Sequence, residues 1–237
     1  MEILEVSLAS NDISGSRLFY EDVLGLKIQV QSQSFVSITA GQTKLSFNYM
    51  HGIKPVYHFA FNVPCNHLDE ILKYLQKSLE IMPASEDGRL IADFKSWNAR
   101  SFYFNDNNGN ILECIARYDL NNRSTQWNPG SFILNISEIG IVVQNVGEAQ
   151  KLLQNGGIPL FSKGPQTPDF SVLGDDTGLI ILKDIKHGWM PNNLTPKPFP
   201  TRVLISQAEK SFELTLTKGN LGLKKKKSNT SPSISSS

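Results

Sequence analysis

The sequence is poor in the features that most directly mark a function. Its 237 residues include two cysteines, Cys65 and Cys114, and two isolated cysteines without a secretory signal read as reduced thiols rather than a disulfide framework. Charge of neither sign is in excess. Lys and Arg number 23 against 22 Asp and Glu, a net charge of +1, so no global field draws the chain to nucleic acid or to an anionic membrane surface. No apolar run approaches the ~20 residues of a spanning helix, and the start, Met1-Glu-Ile-Leu-Glu, has no basic region leading into an apolar one. The expectation is a cytoplasmic protein. Glycine-rich phosphate loop, HExxH, serine nucleophile elbow and CxxC pair are all missing, which leaves phosphoryl transfer, zinc proteolysis and covalent serine catalysis unsupported. A small-molecule partner is the expectation that survives.

What is present is organised around Ser101 to Arg117, SFYFNDNNGNILECIAR. Two strand-prone runs flank an Asn- and Gly-rich segment that tolerates positive φ and so closes a hairpin. With a side-chain period of two, Ile111, Glu113 and Ile115 share one face of the second strand, and Leu112, Cys114 and Ala116 the other. Glu113 is thus aimed onto an apolar face. An unpartnered carboxylate buried there costs several kcal/mol, on the order estimated for buried ions, so it needs a partner.

The chain order repeats. Ile3 to Ala9 is a half-buried strand with Glu5 and Ser7 off its apolar side, followed by a helix from near Ser14 to Gly25 and three short strands. Tyr57 to Val63 restarts the series with His58, Ala60 and Asn62 on one face, and His67 to Ser78 follows as an amphipathic helix. A third unit opens at Ile136 to Val143, continues through a helix at Gly147 to Asn155, and supplies strands at Ile158 to Ser162, Phe170 to Gly174 and Leu179 to Lys183. A fourth is degenerate: Lys186 to Pro200, with Pro191, Pro196, Pro198 and Pro200, reads as an extended wrapping loop, and Arg202 to Ser206 and Phe212 to Thr217 as two strands closing the second sheet. The division expected is a first module over 1–118, a connector over 119–130, a second module over 131–218 and a disordered tail over 219–237.

Three segments resemble the vicinal oxygen chelate superfamily, which contains glyoxalase I, extradiol dioxygenases, fosfomycin resistance proteins and bleomycin-binding proteins. Phe19-Tyr-Glu-Asp-Val-Leu-Gly-Leu26 is similar to its helix ending, Tyr57 to Val63 to its second leading strand, and Asn105 to Glu113 to its aspartate-proline-glycine-asparagine turn with trailing glutamate, with Asn107 in place of the proline. Trp97-Asn98 is similar to a pair found in a bacterial subgroup. The resemblance implies an α+β fold of repeated βαβββ units, paired into cup-shaped mixed sheets with helices on the convex side, as a monomer or homodimer.

It also implies a divalent metal (Mn, Fe, Ni or Zn) held by Glu5, His58 and Glu113, the inward residues of the two leading strands and the last strand. Glu5 departs from the usual histidine or glutamine and doubles as the candidate catalytic carboxylate. Arg100, beside Trp97, is the candidate contact for an anionic substrate group, with Trp97 and Tyr103 as further substrate-lining residues. Glu138 stands in the third unit where Glu5 stands in the first. Because the corresponding end-strand position there is Leu182, Glu138 reads as a relic of the repeat or a structural hydrogen-bonding group. The expected function is a metal-dependent lyase or isomerase of the glyoxalase type, ahead of ring-cleaving dioxygenation. The open alternative is a metal-free protein that sequesters an aromatic or cationic compound, with Glu113 paired to His58.

Overall fold

The computed structural model describes residues 1–226 and contains fifteen strands and three α-helices. The first unit is β1 (Glu2–Ser10), α1 (Ile13–Leu18), β2 (Lys27–Gln31), β3 (Phe35–Ala40) and β4 (Thr43–Tyr49). The Asp12 side chain accepts from Gly15 N–H to start α1, which then widens into a π turn over Phe19–Val23. With that extra residue in the turn, Phe19, Tyr20 and Leu24 are buried and Leu18 is exposed. The second unit is β5 (His58–Asn62), α2 (Leu68–Leu75), β6 (Ile81–Met82), β7 (Ala92–Phe94), β8 (Ala99–Asn105) and β9 (Ile111–Arg117).

The third is β10 (Asn135–Val142), α3 (Val146–Asn155), β11 (Phe170–Asp175) and β12 (Gly178–Lys183). Asn145 caps α3 by accepting from Glu148 N–H. The strand expected at Ile158 to Ser162 is not formed; only an isolated bridge joins Leu160 to Leu173. The fourth unit has no helix and consists of β13 (Thr201–Gln207), β14 (Lys210–Thr217) and β15 (Asn220–Lys226). β15 replaces the first part of the expected tail by pairing with β14 from Ser211 to Thr217, and residues 227–237 of that tail lie outside the described residues.

The units do not pair in chain order. One sheet runs β15-β14-β13-β1-β4-β3-β2 and joins the first unit to the fourth; the other runs β11-β12-β10-β5-β9-β8-β6 and joins the second to the third. The expected modules 1–118 and 131–218 are therefore not the paired bodies, and β13 and β14 extend the first sheet rather than closing the second. The central contacts are antiparallel pairs of leading strands, β1 with β13 and β5 with β10. A single apolar cluster runs through both sheets, from Ile3, Val6 and Phe47 to Phe59, Phe61, Ile139, Leu182, Val203 and Leu214. Gly41 lies so close to the connection before β10 that an added Cβ would sit 2.0 Å from Leu134 O, and its φ of +59° is one that side-chain-bearing residues rarely adopt.

In the second sheet the alternation is as the sequence dictates. Phe59, Phe61, Phe102, Phe104, Leu112 and Cys114 enter the main core, towards α2, and His58, Ala60, Ser101, Tyr103, Ile111, Glu113 and Ile115 take the other side. Both cysteines are buried free thiols. Among the described residues no helix is long and apolar enough to cross a membrane.

Candidate metal centre

Three strands converge on Ala60. In the parallel β5/β9 pair Ala60 stands opposite Glu113, and in the antiparallel β5/β10 pair, just past a register shift between Ile136 and Glu138, it stands opposite Glu138. The two carboxylates flank one small residue, so their side chains meet above its methyl group where a larger side chain would separate them. His58 precedes Ala60 by two residues and shares its face. One ligand atom from each of His58, Glu113 and Glu138 lies within 4.8 Å of the others, and all three residues are buried, at 7, 3 and 4% exposure.

The hydrogen bonds fix which atoms face inward. His58 Nδ1 lies 3.1 Å from Ile111 O, so it carries the proton and donates it to that carbonyl. The lone pair of Nε2 is left facing Glu113 Oε2 at 3.6 Å. Two acceptors facing each other in a dry site require a proton or a cation between them. Burial lowers the His58 pKa, opposed by Glu138 and by the Ile111 carbonyl. Burial raises that of Glu113, offset by the Ser101 hydroxyl, Arg117 and the Tyr103 hydroxyl. Glu138 is pushed up to about 7 by burial, with Arg117 pulling it down and Glu113 raising it further. Burial thus disfavours charge on all three groups, and a divalent ion that binds there displaces whatever protons they retain.

Arg117 completes the cluster. Four residues beyond Glu113 on the same face of β9, it is fully buried, bonds to Glu138, reaches Asp176 Oδ1 at 3.5 Å, and lies 5.6 Å from the centre of the Trp97 ring. Asp176 in turn takes Lys163, whose Nζ is 2.7 Å from Asp119. With two carboxylates, one guanidinium and a neutral imidazole, the triad and Arg117 sum to one net negative charge when fully ionised. The donor set of one imidazole and two carboxylates fits a divalent cation in ligand type.

Of the residues expected at the site, His58 and Glu113 are brought together and Glu5 is not. Glu5 belongs to β1 in the other sheet, where its Oε1 lies 3.3 Å from Arg202 Nη1 and 3.6 Å from Lys44 Nζ. The pairing of the second unit with the third, instead of the first, removes it and puts Glu138 in its place. Arg100 is also displaced: the inward residues of β8 are Ala99, Ser101 and Tyr103, so Arg100 points to the helix side, where Nη2 is 3.6 Å from Asp69 of α2. Tyr103 lies beside the site, its ring 6.4 Å from that of His58. Trp97 borders it through Arg117 and packs on Phe94 and Phe161.

Glu138 and Arg117 are the residues that the sequence reasoning did not place. Each had a signal, Glu138 as the third unit's counterpart of Glu5 and Arg117 as an inward residue in register with Glu113.

Residues 2–114 match the model of the Glyoxalase/Bleomycin resistance protein/Dioxygenase superfamily. Residues 2–114 carry a domain of this superfamily. A putative dioxygenase from Bacillus subtilis subsp. subtilis str. 168 shares the fold over 95% of this chain and 84% of its own, with a TM-score of 0.59 and 15% identity. A lactoylglutathione lyase from Agrobacterium tumefaciens matches 48% of this chain and 91% of its own, with a TM-score of 0.38 and 21% identity. No curated protein sequence matches the chain. The α+β, glyoxalase-like architecture expected from the sequence is the one found.

Proposed function

We propose that this superfamily member is a divalent-metal-dependent enzyme acting on a small oxygenated molecule, with His58, Glu113 and Glu138 as the metal-holding residues. The observation that carries the reading is the converging donor set above Ala60, with the His58 Nε2 lone pair facing Glu113 Oε2. A bound divalent ion would supply Lewis-acid stabilisation of negative charge on substrate oxygens.

The remaining roles belong to the chain. Ile111 O holds the His58 ring in one tautomer. Arg117 holds Glu138 in place and limits the cost of its burial. Glu138 is the carboxylate placed to take up and return a proton beside the bound substrate, the role that Glu5 was expected to play. Tyr103 presents its ring beside His58, and its hydroxyl, held well above its ordinary pKa by burial and by Glu113, stays protonated as a hydrogen-bond donor. Proton transfer next to a stabilised oxyanion is lyase or isomerase chemistry, and a single imidazole in the donor set favours it over ring cleavage.

The test is elemental analysis of protein purified without chelator and reloaded with Mn, Fe, Ni or Zn. One equivalent is expected in the wild type and a fall in affinity of more than ~100-fold in His58→Ala, beyond the effect of losing an outer-shell partner. No uptake of any of the four ions by the wild type would refute the reading. One observation favours a second, metal-free binding function: Arg117 already gives Glu138 a cationic partner. Under that reading a ligand binds with unchanged affinity after exhaustive chelation.

A further inference from the structure

The three side chains of the candidate site are all buried. Beside His58 there is a void of only about 10 Å³, bounded by Val56, Gly140, Val142, Trp189 and Phe199, which is at most the space of one water molecule. The side chain that fills the cup is Trp189, from the proline-rich stretch after β12. Its ring lies 5.1 Å from that of His58, it is 5% exposed, and it seats on Gly140, where an added Cβ would come within 2.6 Å of the indole. Gly140 follows Glu138 by two residues on the same face of β10, so the indole rests directly on the strand that bears one of the three acidic and imidazole groups.

The stretch that carries Trp189 is tied down by hydrogen bonds mainly at its two ends. It is anchored at one end by Asp184 N–H donating to Asp169 O, and at the other by the Tyr57 hydroxyl donating to Pro200 O. Between these anchors its backbone hydrogen bonds close on themselves: Trp189 N–H to Leu194 O at 2.9 Å and Asn193 N–H to Trp189 O at 2.7 Å. Asp184 Oδ1 accepts from Lys186 and His187 N–H within the same stretch. Among the described residues, no backbone-to-backbone hydrogen bond ties 185–199 to either sheet. Of its large apolar side chains, Trp189 is buried and Phe199 packs edge-on against Tyr57, while Ile185, Met190 and Leu194 are exposed. A segment with an internal hydrogen-bond network, no backbone bond to the sheets and few buried side chains opens at lower free energy than the sheets that it covers.

We propose that residues 185–199 form a cover over the His58, Glu113 and Glu138 cup, and that Trp189 is the latch that an entering metal or substrate must displace. The proposal rests on the functional reading only in taking the cup for a ligand site. Opening lifts the indole off His58 and Gly140 and exposes the donor atoms, and closing returns the site to a dry state in which its electrostatic interactions are strong.

The experiment is the rate of zinc transfer from loaded protein to excess chelator, in the wild type, Trp189→Ala and Gly140→Ala, with hydrogen exchange on the metal-free wild type in parallel. The first variant removes the latch and the second unseats it from beneath. At equal zinc stoichiometry both should release the ion at least ~10-fold faster than the wild type, and 185–199 should exchange its amides well before β5 and β10. Equal release rates at equal stoichiometry would overturn the cover, as would exchange of 185–199 together with the central strands. If the wild type takes up no zinc, nor any other divalent ion, the metal reading fails and the exchange result alone decides the cover. If neither variant folds, the wild-type exchange pattern again decides it.

Discussion

The two sheets share a plan and differ in what they do with charge. Each has an antiparallel pair of leading strands at its centre, and each carries an acid from such a strand on the side away from the core. In the first sheet Glu5 sits in an open network: Arg202 bridges it to Glu213, 2.7 Å from Arg202 Nε, and Lys226 adds a contact to Glu213 at 3.1 Å. Lys44, Arg202 and Lys226 are 39–53% exposed there. In the second sheet Glu138, Glu113, His58 and Arg117 are sealed beneath Trp97, Phe161 and Trp189. Water and excess cations neutralise the first set. The second is left short of positive charge in a low-dielectric site, a condition that an added cation relieves. Cover, more than residue type, separates a salt-bridge network from a candidate metal centre.

The comparison breaks most visibly at the arginines. Arg117→Met removes the only guanidinium from a buried acidic cluster and should cost ~3–5 kcal/mol in denaturant unfolding of metal-free protein, the range for stranding a buried charge. Arg202→Met, its counterpart on the open face, should cost no more than ~1 kcal/mol. Equal losses would mean that the two environments do not differ as their burial indicates.

Ala60 comes next. Ala60→Leu drives a branched side chain between Glu113 and Glu138, with an overpacking cost of ~1–3 kcal/mol and loss of metal uptake. Retention of one equivalent of metal by this variant would show that the carboxylates do not meet above residue 60.

Much of this is legible in the amino-acid sequence. The side-chain period of two put Glu113 and His58 on the correct faces, and the hairpin, the βαβββ order and the wrapping proline-rich stretch were readable from turn residues and spacing. Which units pair was not legible, because leading strands of similar pattern compete for the same partner and only packing between units selects one. That single ambiguity accounts for the errors over Glu5, Glu138 and the module boundaries. Arg100 failed for a different reason: its neighbour Trp97 suggested a site, while the alternation along β8 sends it to Asp69 on α2.

Acidity sharpens the contrast further. In the folded, metal-free protein Glu138 keeps its proton up to about pH 7, while in the unfolded chain it loses it near the ordinary value of 4.5. The folded state binds the extra proton between those values, so the contribution of Glu138 to stability falls as pH rises through that window and is level above it. His58, whose pKa is lowered, acts in the opposite sense below 6.5, which makes the total curve a poor measure and the difference from Glu138→Gln a good one. With chelator present, the wild type should lose stability relative to that variant from about pH 4.5 to 7. A difference that does not change with pH would show that Glu138 is ionised throughout.

The smallest effect belongs to Glu5. Its carboxylate is paired in an open network, so Glu5→Gln should change stability by less than ~1 kcal/mol and leave metal stoichiometry, His58 titration and release rate as in the wild type. The value of so small an effect lies in its contrast with Glu138→Gln, which alters the same chemical group at the corresponding position of another repeat. Loss of metal in Glu138→Gln together with full retention in Glu5→Gln would assign the centre to the pairing of the second unit with the third. The reverse result would require the first unit to pair with the second, and the strand order described above would then be wrong at its centre.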